Sequence, residues 1–497
     1  MSVSQRISRE QLRTATPLLI AWLASRALLV LFTYNELTYI DHGSLVGDVQ
    51  TYNKWSLVFA HGHFPQHDAQ WQYPPGASVF IVLPRMVKYA TGLSYYSAFY
   101  LMALLCDLVV FLLVMFACWR TAARVERTGG KFSASYAAGA ADAAQLMAAS
   151  GDGDGRRRSG SRAAERGHRI DYTGAWAYLA AIFALGPIVL CRYDICVTMV
   201  ATIALVVIGR TRAGTWRMRG GAVGVGAMMK LWPAVILLGL PKRTDGRRAL
   251  VWAVLGVLVP TLALMAVLPG ALGFLREQGD RGLEIESVLA APFMIARHLG
   301  YPGKIIHAYG AFEITGPGLG LISSGAVVLT VTGLMWLLLW RRKAGLVPGR
   351  WSTGLFYDSS LVAAMITIVT SRVLSPQYLT WVIGLIALCL TLTPLGRNGT
   401  VLARPCWLLL AAISVTQAEF PWLFPKLVEG SAWVAVLVAA RDLLLVVATW
   451  QAARALWRAA VDQVPARTDE PVGDPLATDG VWDPAPPQYQ GLPDQVS

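Results

Sequence analysis

The sequence predicts an all-α, polytopic membrane protein, and three observations carry that prediction. The 497 residues are 55% hydrophobic and only 15% charged, with a mean hydropathy of +0.48, a composition suited to lipid rather than water. Runs such as 250–268 and 322–340 are apolar on every side, where a soluble helix would keep one polar face. Between the runs stand Arg/Lys clusters, which the positive-inside rule places in the cytoplasm. The net charge of +13 is therefore read as topology, and no nucleic-acid partner is expected. Cys106, Cys118, Cys191, Cys196, Cys389 and Cys406 fall in or beside apolar runs without metal-ligand spacing, so they are read as packing residues.

In chain order, residues 1–16 are expected to form a basic cytoplasmic N-terminus and 17–34 the first span. That segment looks like a signal peptide, but it is long for one and lacks a small-residue cleavage site. Residues 35–73 then lie outside. Residues 74–90 start with Pro-Pro and are broken by Pro84, Arg85 and Lys88, which suits an interfacial or re-entrant helix. A full span, 95–119, returns to a cytoplasmic loop (about 120–171) whose Ala/Gly/Arg-rich part, 128–167, is predicted disordered. Residues 172–190 lead out to a turn at Arg192 and Asp194, and 195–209 come back. With Lys230 and Pro233 near its middle, 220–240 reads as a broken, half-depth hairpin. Residues 250–268 lead to a second outer loop, 269–314, and 319–340 return to Arg341, Arg342 and Lys343. Segments 355–370, 377–391, 407–416 and 432–450 complete a domain of residues 17–452, with about 10–12 transmembrane helices. The tail, 453–497, rich in Pro and Asp, is predicted disordered and cytoplasmic. Arg26 and Asp107 fall near the centres of neighbouring, oppositely directed spans and are expected to pair, because an isolated charge there costs about 2.5–3.5 kcal/mol.

The chemistry collects in residues 47–76, GDVQTYNKWSLVFAHGHFPQHDAQWQYPPG, which hold Asp48, Lys54, His61, His63, His67, Asp68 and Tyr73 in one outer loop. Asp48 is read either as a general base or as the cap of a short helix at 49–60. Asp68 is the alternative base, or a partner of His67. The three histidines with Asp68 also suit a divalent ion by residue type, although neither helical nor strand spacing aligns all four, and no metal is expected. Trp55, Trp71 and Tyr73 read as stacking platforms for the ring or the chain of a ligand, or as the interfacial belt of any membrane protein. Lys230 either marks a path for a lipid phosphate or snorkels to the surface.

DVQTYNKW, then GHFPQHDAQWQYPPG, RYD at the head of a span, KLWP in the broken helix, RGLEIES in the second outer loop and SRVLSPQYLTW late in the chain together resemble the polyprenyl-phosphate-sugar-dependent glycosyltransferases of the GT-C superfold. The likeness is nearest to the bacterial family 87, which includes the actinobacterial phosphatidylinositol-mannoside mannosyltransferases, and it extends over residues 17–450. The resemblance implies a GT-C bundle with interfacial helices in its first outer loop and Asp48 as the base. It further implies a multi-pass plasma-membrane enzyme with both termini cytoplasmic and an extracytoplasmic site. That enzyme would move a sugar, mannose in the first place, with inversion from a polyprenyl-phosphate donor to a lipid or glycolipid acceptor, among membrane lipids and without a cofactor. Candidate substrate-binding residues are Asp68, His67, Tyr73, Arg192, Asp194, Arg281, Glu286, Arg372 and Gln377. Arg281 and Arg372 are candidate clamps for the donor phosphate, with Glu286 holding sugar hydroxyls or orienting Arg281. The alternative for the charges of 276–286 is a set of solvated ion pairs of little consequence, and for Arg192 and Asp194 a local pair capping a turn.

A single carboxylate is chemically sufficient. A glycosidase needs a second carboxyl to protonate an alkoxide leaving group, whereas a sugar leaving a lipid phosphate departs from a good leaving group. The alternative from another class is a transporter of lipids or lipid-linked sugars, since broken helices with intramembrane charge serve transporters too. No internal repeat is visible, and the ionisable residues gather in outer loops rather than at the midplane.

The topology is testable by single-cysteine labelling with an impermeant reagent on intact cells. Position 48 should label, while Arg157→Cys and Asp474→Cys should stay silent. Labelling at 157 with silence at 48 reverses the assignment.

Overall fold

The computed structural model describes residues 9–37, 42–65, 68–148, 170–275, 281–345 and 351–461. Helix α1 (Arg9–Thr33) leads to α2 (His42–Ala60), α3 (Ala77–Thr91) and α4 (Tyr95–Ala148). Then come α5 (Thr173–Leu185), a 3-10 turn at Pro187–Val189, α6 (Asp194–Val206), α7 (Arg212–Met229), a 3-10 segment at Trp232–Gly239 and α8 (Thr244–Val267). A cap follows, made of β1 (Leu283–Glu284), α9 (Ala291–Ala296), β2 (Lys304–Ala308) and β3 (Ala311–Thr315). The chain closes with α10 (Leu319–Ala344), α11 (Thr353–Val369), α12 (Leu379–Leu390), α13 (Ala403–Gln417), α14 (Phe424–Val428) and α15 (Ala432–Val461).

Among the described residues six helical stretches are long and apolar enough to cross a membrane: Arg13–Thr33, Tyr95–Glu126, α8, α10, Ala403–Val428 and Ala432–Ala460. Of the expected 10–12 spans, these six are long enough by themselves, and the other apolar helices are shorter. Helices α5 and α6 have 13 residues each, about 20 Å at 1.5 Å per residue, against a hydrocarbon core of about 30 Å. Helix α12, with 12 residues, is buried along its whole length. It packs on α5, α6 and α11 at the centre, while α8 and α10 turn Leu258, Leu262, Leu321 and Val328 outward. A hydropathy window reads both kinds of helix alike, because lipid and protein interior are both apolar.

Helix α7 stops at Lys230, whose backbone is extended (φ −156°, ψ 138°). Pro233 opens the 3-10 segment that packs back against α7, so the expected broken hairpin is present. Close packing of α7 on α8 depends on Gly220 and Gly224, where a Cβ would collide with the carbonyls of Ala249 and Ala253. Helix α3, of 15 residues, is amphipathic as expected of an interfacial helix. It buries Ile81 and Arg85 and exposes Met86 and Tyr89.

Three further expectations are corrected or bounded. Helix α4 continues to Ala148, through the front of the stretch read as disordered from 128, and α15 runs to Val461, through the front of the tail read as disordered from 453, while 149–169 and 462–497, with Arg157 and Asp474, lie outside the described residues. The all-α reading misses a three-stranded antiparallel sheet of order β1-β3-β2 in the second outer loop. Its hairpin turns at Tyr309 and Gly310, both at positive φ (53° and 76°), the geometry of the tight turn whose twist matches the flanking strands. The Arg192 to Asp194 turn is buried rather than on the surface.

The pairing of Arg26 with Asp107 is present and is bidentate, Nε to Oδ2 at 2.8 Å and Nη2 to Oδ1 at 2.9 Å. Trp22 Nε1 (2.7 Å) and Tyr178 Oη (2.6 Å) donate to the same carboxylate. Removing one member strands the other in the bundle, a loss of about 3–5 kcal/mol. Asp107→Ala should therefore lower the yield of folded protein more than the Arg26→Ala/Asp107→Ala double change. Purely additive losses in this double-mutant cycle contradict a coupled pair.

Candidate functional site

At the end of the bundle covered by α2 and the sheet lies a cavity of about 280 Å³. Its wall comes from α2 (Asp48, Thr51, Tyr52), the loop before α3 (Gln70, Gln72, Tyr73), the α7 break (Lys230), Arg281 before β1, and Arg372, Gln377 and Tyr378 before α12.

Asp48 lies inside α2, six residues after its first residue, so the capping reading is overturned. Its carboxylate is 33% exposed, and Oδ2 forms an ion pair with Arg192 Nε at 2.6 Å. The arginine is itself buried, and its Nη1 donates to the carbonyls of Leu45 (2.8 Å) and Cys191 (3.1 Å). One guanidinium thus joins the α2 backbone, the turn before α6 and the Asp48 carboxylate.

Arg192 and Asp194 do not pair with each other. Asp194 Oδ1 accepts from Lys230 Nζ (2.6 Å) and from Trp381 Nε1. The ammonium is ringed by Tyr378, Trp381, Tyr193 and Tyr73 at 4.6, 4.9, 5.6 and 5.9 Å from the ring centroids, an arrangement favoured by the ring quadrupoles. Lys230 is held inward and does not snorkel. The carbonyls freed by the helix break find donors, Met228 from the Gly76 amide (3.0 Å) and Met229 from the Tyr193 hydroxyl (3.4 Å), as a helix end inside protein requires.

Arg281 is aimed by the sheet. Its Nε donates to Glu313 Oε1 (3.0 Å) and its Nη1 to Gln72 Oε1 (2.7 Å), while Nη2 has Glu284 at 4.0 Å. Glu284 ties the neighbouring wall, accepting from Ser375 Oγ (2.6 Å) and donating its amide to the Arg372 carbonyl (3.0 Å). Burial raises the Glu284 carboxyl above its usual range, and the Arg281 charge works against that rise. Asp48 and three cations, Lys230, Arg281 and Arg372, therefore face the cavity, while Asp194, Glu284 and Glu313 stand behind its wall. The wall suits an anionic group lying beside a carboxylate.

Asp48, Tyr73, Arg281, Arg372 and Gln377 line this cavity together, with Arg192 and Asp194 immediately behind. Three other expectations fare differently. Asp68 is not on the wall; its Oδ2 accepts from Trp55 Nε1 (2.8 Å) and its Oδ1 from the Gln70 amide (2.9 Å), so it fixes the loop. Glu286 is turned away into a buried group with Arg441 and Glu419; burial and the Glu419 charge push its carboxyl well up. His67 lies outside the described residues. His61 Nδ1 lies 2.7 Å from the carbonyl of Leu57, His63 is exposed, and among the described residues no group of histidine, cysteine or carboxylate side chains is placed to hold a metal. Trp55 and Trp71 are buried in an aromatic cluster with Tyr52 and Tyr73 and form no interfacial belt. Sequence reasoning missed Gln72 and Glu313 as the residues that aim Arg281. The alternation of AFEIT after a Tyr-Gly pair was a usable strand signal for the second.

The fold and the cavity define a multi-pass, nearly all-helical membrane protein with a polar cavity at its capped end. No family model, curated protein or solved structure matches the chain.

Arg192→Lys offers a direct test of the triple role of its guanidinium. One ammonium cannot reach Asp48 and both carbonyls, and a buried acceptor left without a donor costs about 1–3 kcal/mol. The variant should melt correspondingly earlier in detergent, and a melting curve equal to the parent's contradicts this role.

Proposed function

We propose that the protein is a membrane glycosyltransferase of the GT-C type that transfers a sugar, mannose by the sequence resemblance, from a polyprenyl phosphate to a lipid or glycolipid acceptor. On the positive-inside assignment the reaction takes place on the extracytoplasmic face of the plasma membrane. The observation that carries this reading is the partly exposed Asp48 carboxylate sharing one cavity with Lys230, Arg281 and Arg372. Asp48 takes the proton of the acceptor hydroxyl as its oxygen attacks the anomeric carbon from the face opposite the phosphate. The bond from that carbon to the phosphate oxygen breaks, and the electron pair leaves on polyprenyl phosphate. The cations stabilise that developing charge. The planar fork of Arg281, fixed by Glu313 and Gln72, suits two phosphate oxygens. Arg192 keeps Asp48 pointed at the cavity.

The break at Lys230 inside the helical core is the observation that favours the rival reading, a transporter of a lipid-linked sugar. Asp48→Asn separates the two. The amide retains an oxygen for Arg192 but takes no proton, so transfer should fall by about 100-fold or more in a protein that remains folded and binds donor. Asp68→Asn should lose less. A folded Asp48→Asn protein that transfers sugar within a few-fold of the parent ends the assignment.

A further inference from the structure

A second cavity, of about 220 Å³, lies at the opposite ends of the same helices. Helices α8 and α10 each have one end toward the sheet cap. Their other ends, Thr244 on α8 and Arg341 to Lys343 on α10, meet at the turn that follows the 3-10 segment. The cavity is lined there by Lys242, Arg243, Arg247 and Arg341, with Leu237 and Leu250 among its apolar lining residues.

This site is built, and it differs from a loose basic surface in three respects. Arg341 is half-buried and pins the turn, its Nε donating to the carbonyl of Leu240 (2.9 Å) and its Nη2 to that of Pro241 (3.4 Å). Lys242 Nζ donates to the carbonyl of Arg342 (3.2 Å). The nearby carboxylate, Asp245, is committed elsewhere, to Arg212 at 2.8 Å and Arg248 at 3.3 Å, and among the described residues Arg243, Arg247 and Arg341 have no carboxylate partner. Finally, Leu250 in the cavity wall begins an outward apolar stripe on α8 that continues through Val254 and Leu258, each about half exposed at 50, 47 and 49%. Their spacing of four residues puts them on one face.

We propose that this cavity binds the head group of an anionic membrane phospholipid, its phosphate among Lys242, Arg243, Arg247 and Arg341 and its acyl chains along the Leu250, Val254 and Leu258 stripe. Four cations in the wall favour a head group with more than one negative charge, such as a bis-phosphate lipid. Basic pockets between spanning helices, just where apolar surface begins, match the two parts of such a lipid. The inference does not depend on glycosyl transfer at the other end.

The test is native mass spectrometry of the full chain, delipidated in neutral detergent and titrated with cardiolipin, phosphatidylcholine or inorganic pyrophosphate. Cardiolipin should bind at least about tenfold more tightly than either of the other two, and Arg243→Gln/Arg247→Gln should remove about tenfold or more of that affinity. Arg210→Gln/Arg217→Gln removes the same charge from exposed positions at the same end but outside the cavity, and should bind cardiolipin nearly as the parent does. Arg247→Gln alone, on an exposed helix face, should give an intermediate loss and serves if the double change perturbs folding. Equal cardiolipin affinity in parent and cavity variants overturns the proposal, as does an equal loss in the control pair. Pyrophosphate binding as tight as cardiolipin overturns the part played by the acyl chains.

Discussion

A charge placed inside an apolar bundle must meet its opposite at its own depth, and the architecture of this protein follows from how it meets that demand. Arg192 and Asp194 belong to one buried turn, yet each reaches away from the other, Arg192 to Asp48 on α2 and Asp194 to Lys230 at the break in α7. Those two ion pairs join the turn before α6 to α2 on one side and to the α7 break on the other. Had the two residues paired locally, Lys230 would be left buried without its partner, at a cost of about 3–5 kcal/mol, and the partly exposed Asp48 carboxylate would lose the guanidinium that holds it. The cavity lies between the two pairs, so the contacts that stabilise this end of the bundle also set the geometry of the site.

The cap extends the same logic. Glu313 and Gln72, 241 positions apart in the numbering of the chain, fix the guanidinium of Arg281 from two sides, and Glu284 braces the segment that carries Arg372 and Ser375. A side chain held this way loses little freedom when an anion arrives, which is the advantage of a preorganised site. At the opposite end Arg243, Arg247 and Arg341 have no carboxylate partner among the described residues, and that asymmetry is what favours an anionic lipid at the second cavity over a structural salt-bridge network.

Much of this was legible in the sequence, and for physical reasons. Periodicity and length identify α1, α4, α8, α10 and α15 because lipid leaves no choice but a long apolar helix. Arg26 and Asp107 are legible as partners because the cost of a lone intramembrane charge is large and the two spans are adjacent. Asp48, Tyr73, Arg281, Arg372 and Gln377 stand out as polar residues in or beside an apolar frame, and they do converge. What composition hides is the difference between lipid-facing and protein-buried helices, so the short, buried α5, α6 and α12 read like the long, outward-facing α8 and α10. The partner of each charge is hidden as well, because it is set by tertiary packing. Arg192 and Asp194 look like a local pair, and Asp68 and Glu286 look like site residues. Only the packing of α2 against the turn before α6, and of the sheet against the loop before α3, assigns their roles.

The central claim is that the cavity beside Asp48 performs chemistry on a lipid-linked sugar rather than passing it across the membrane. Its most direct test is to reconstitute the purified protein in vesicles with radiolabelled polyprenyl-phosphate-mannose and a panel of membrane lipids, and to follow the label and the polyprenyl phosphate together. The account predicts a new labelled glycolipid, formed with release of one polyprenyl phosphate per sugar transferred. Donor that crosses the bilayer unchanged, with no labelled product from any lipid in the panel, contradicts it.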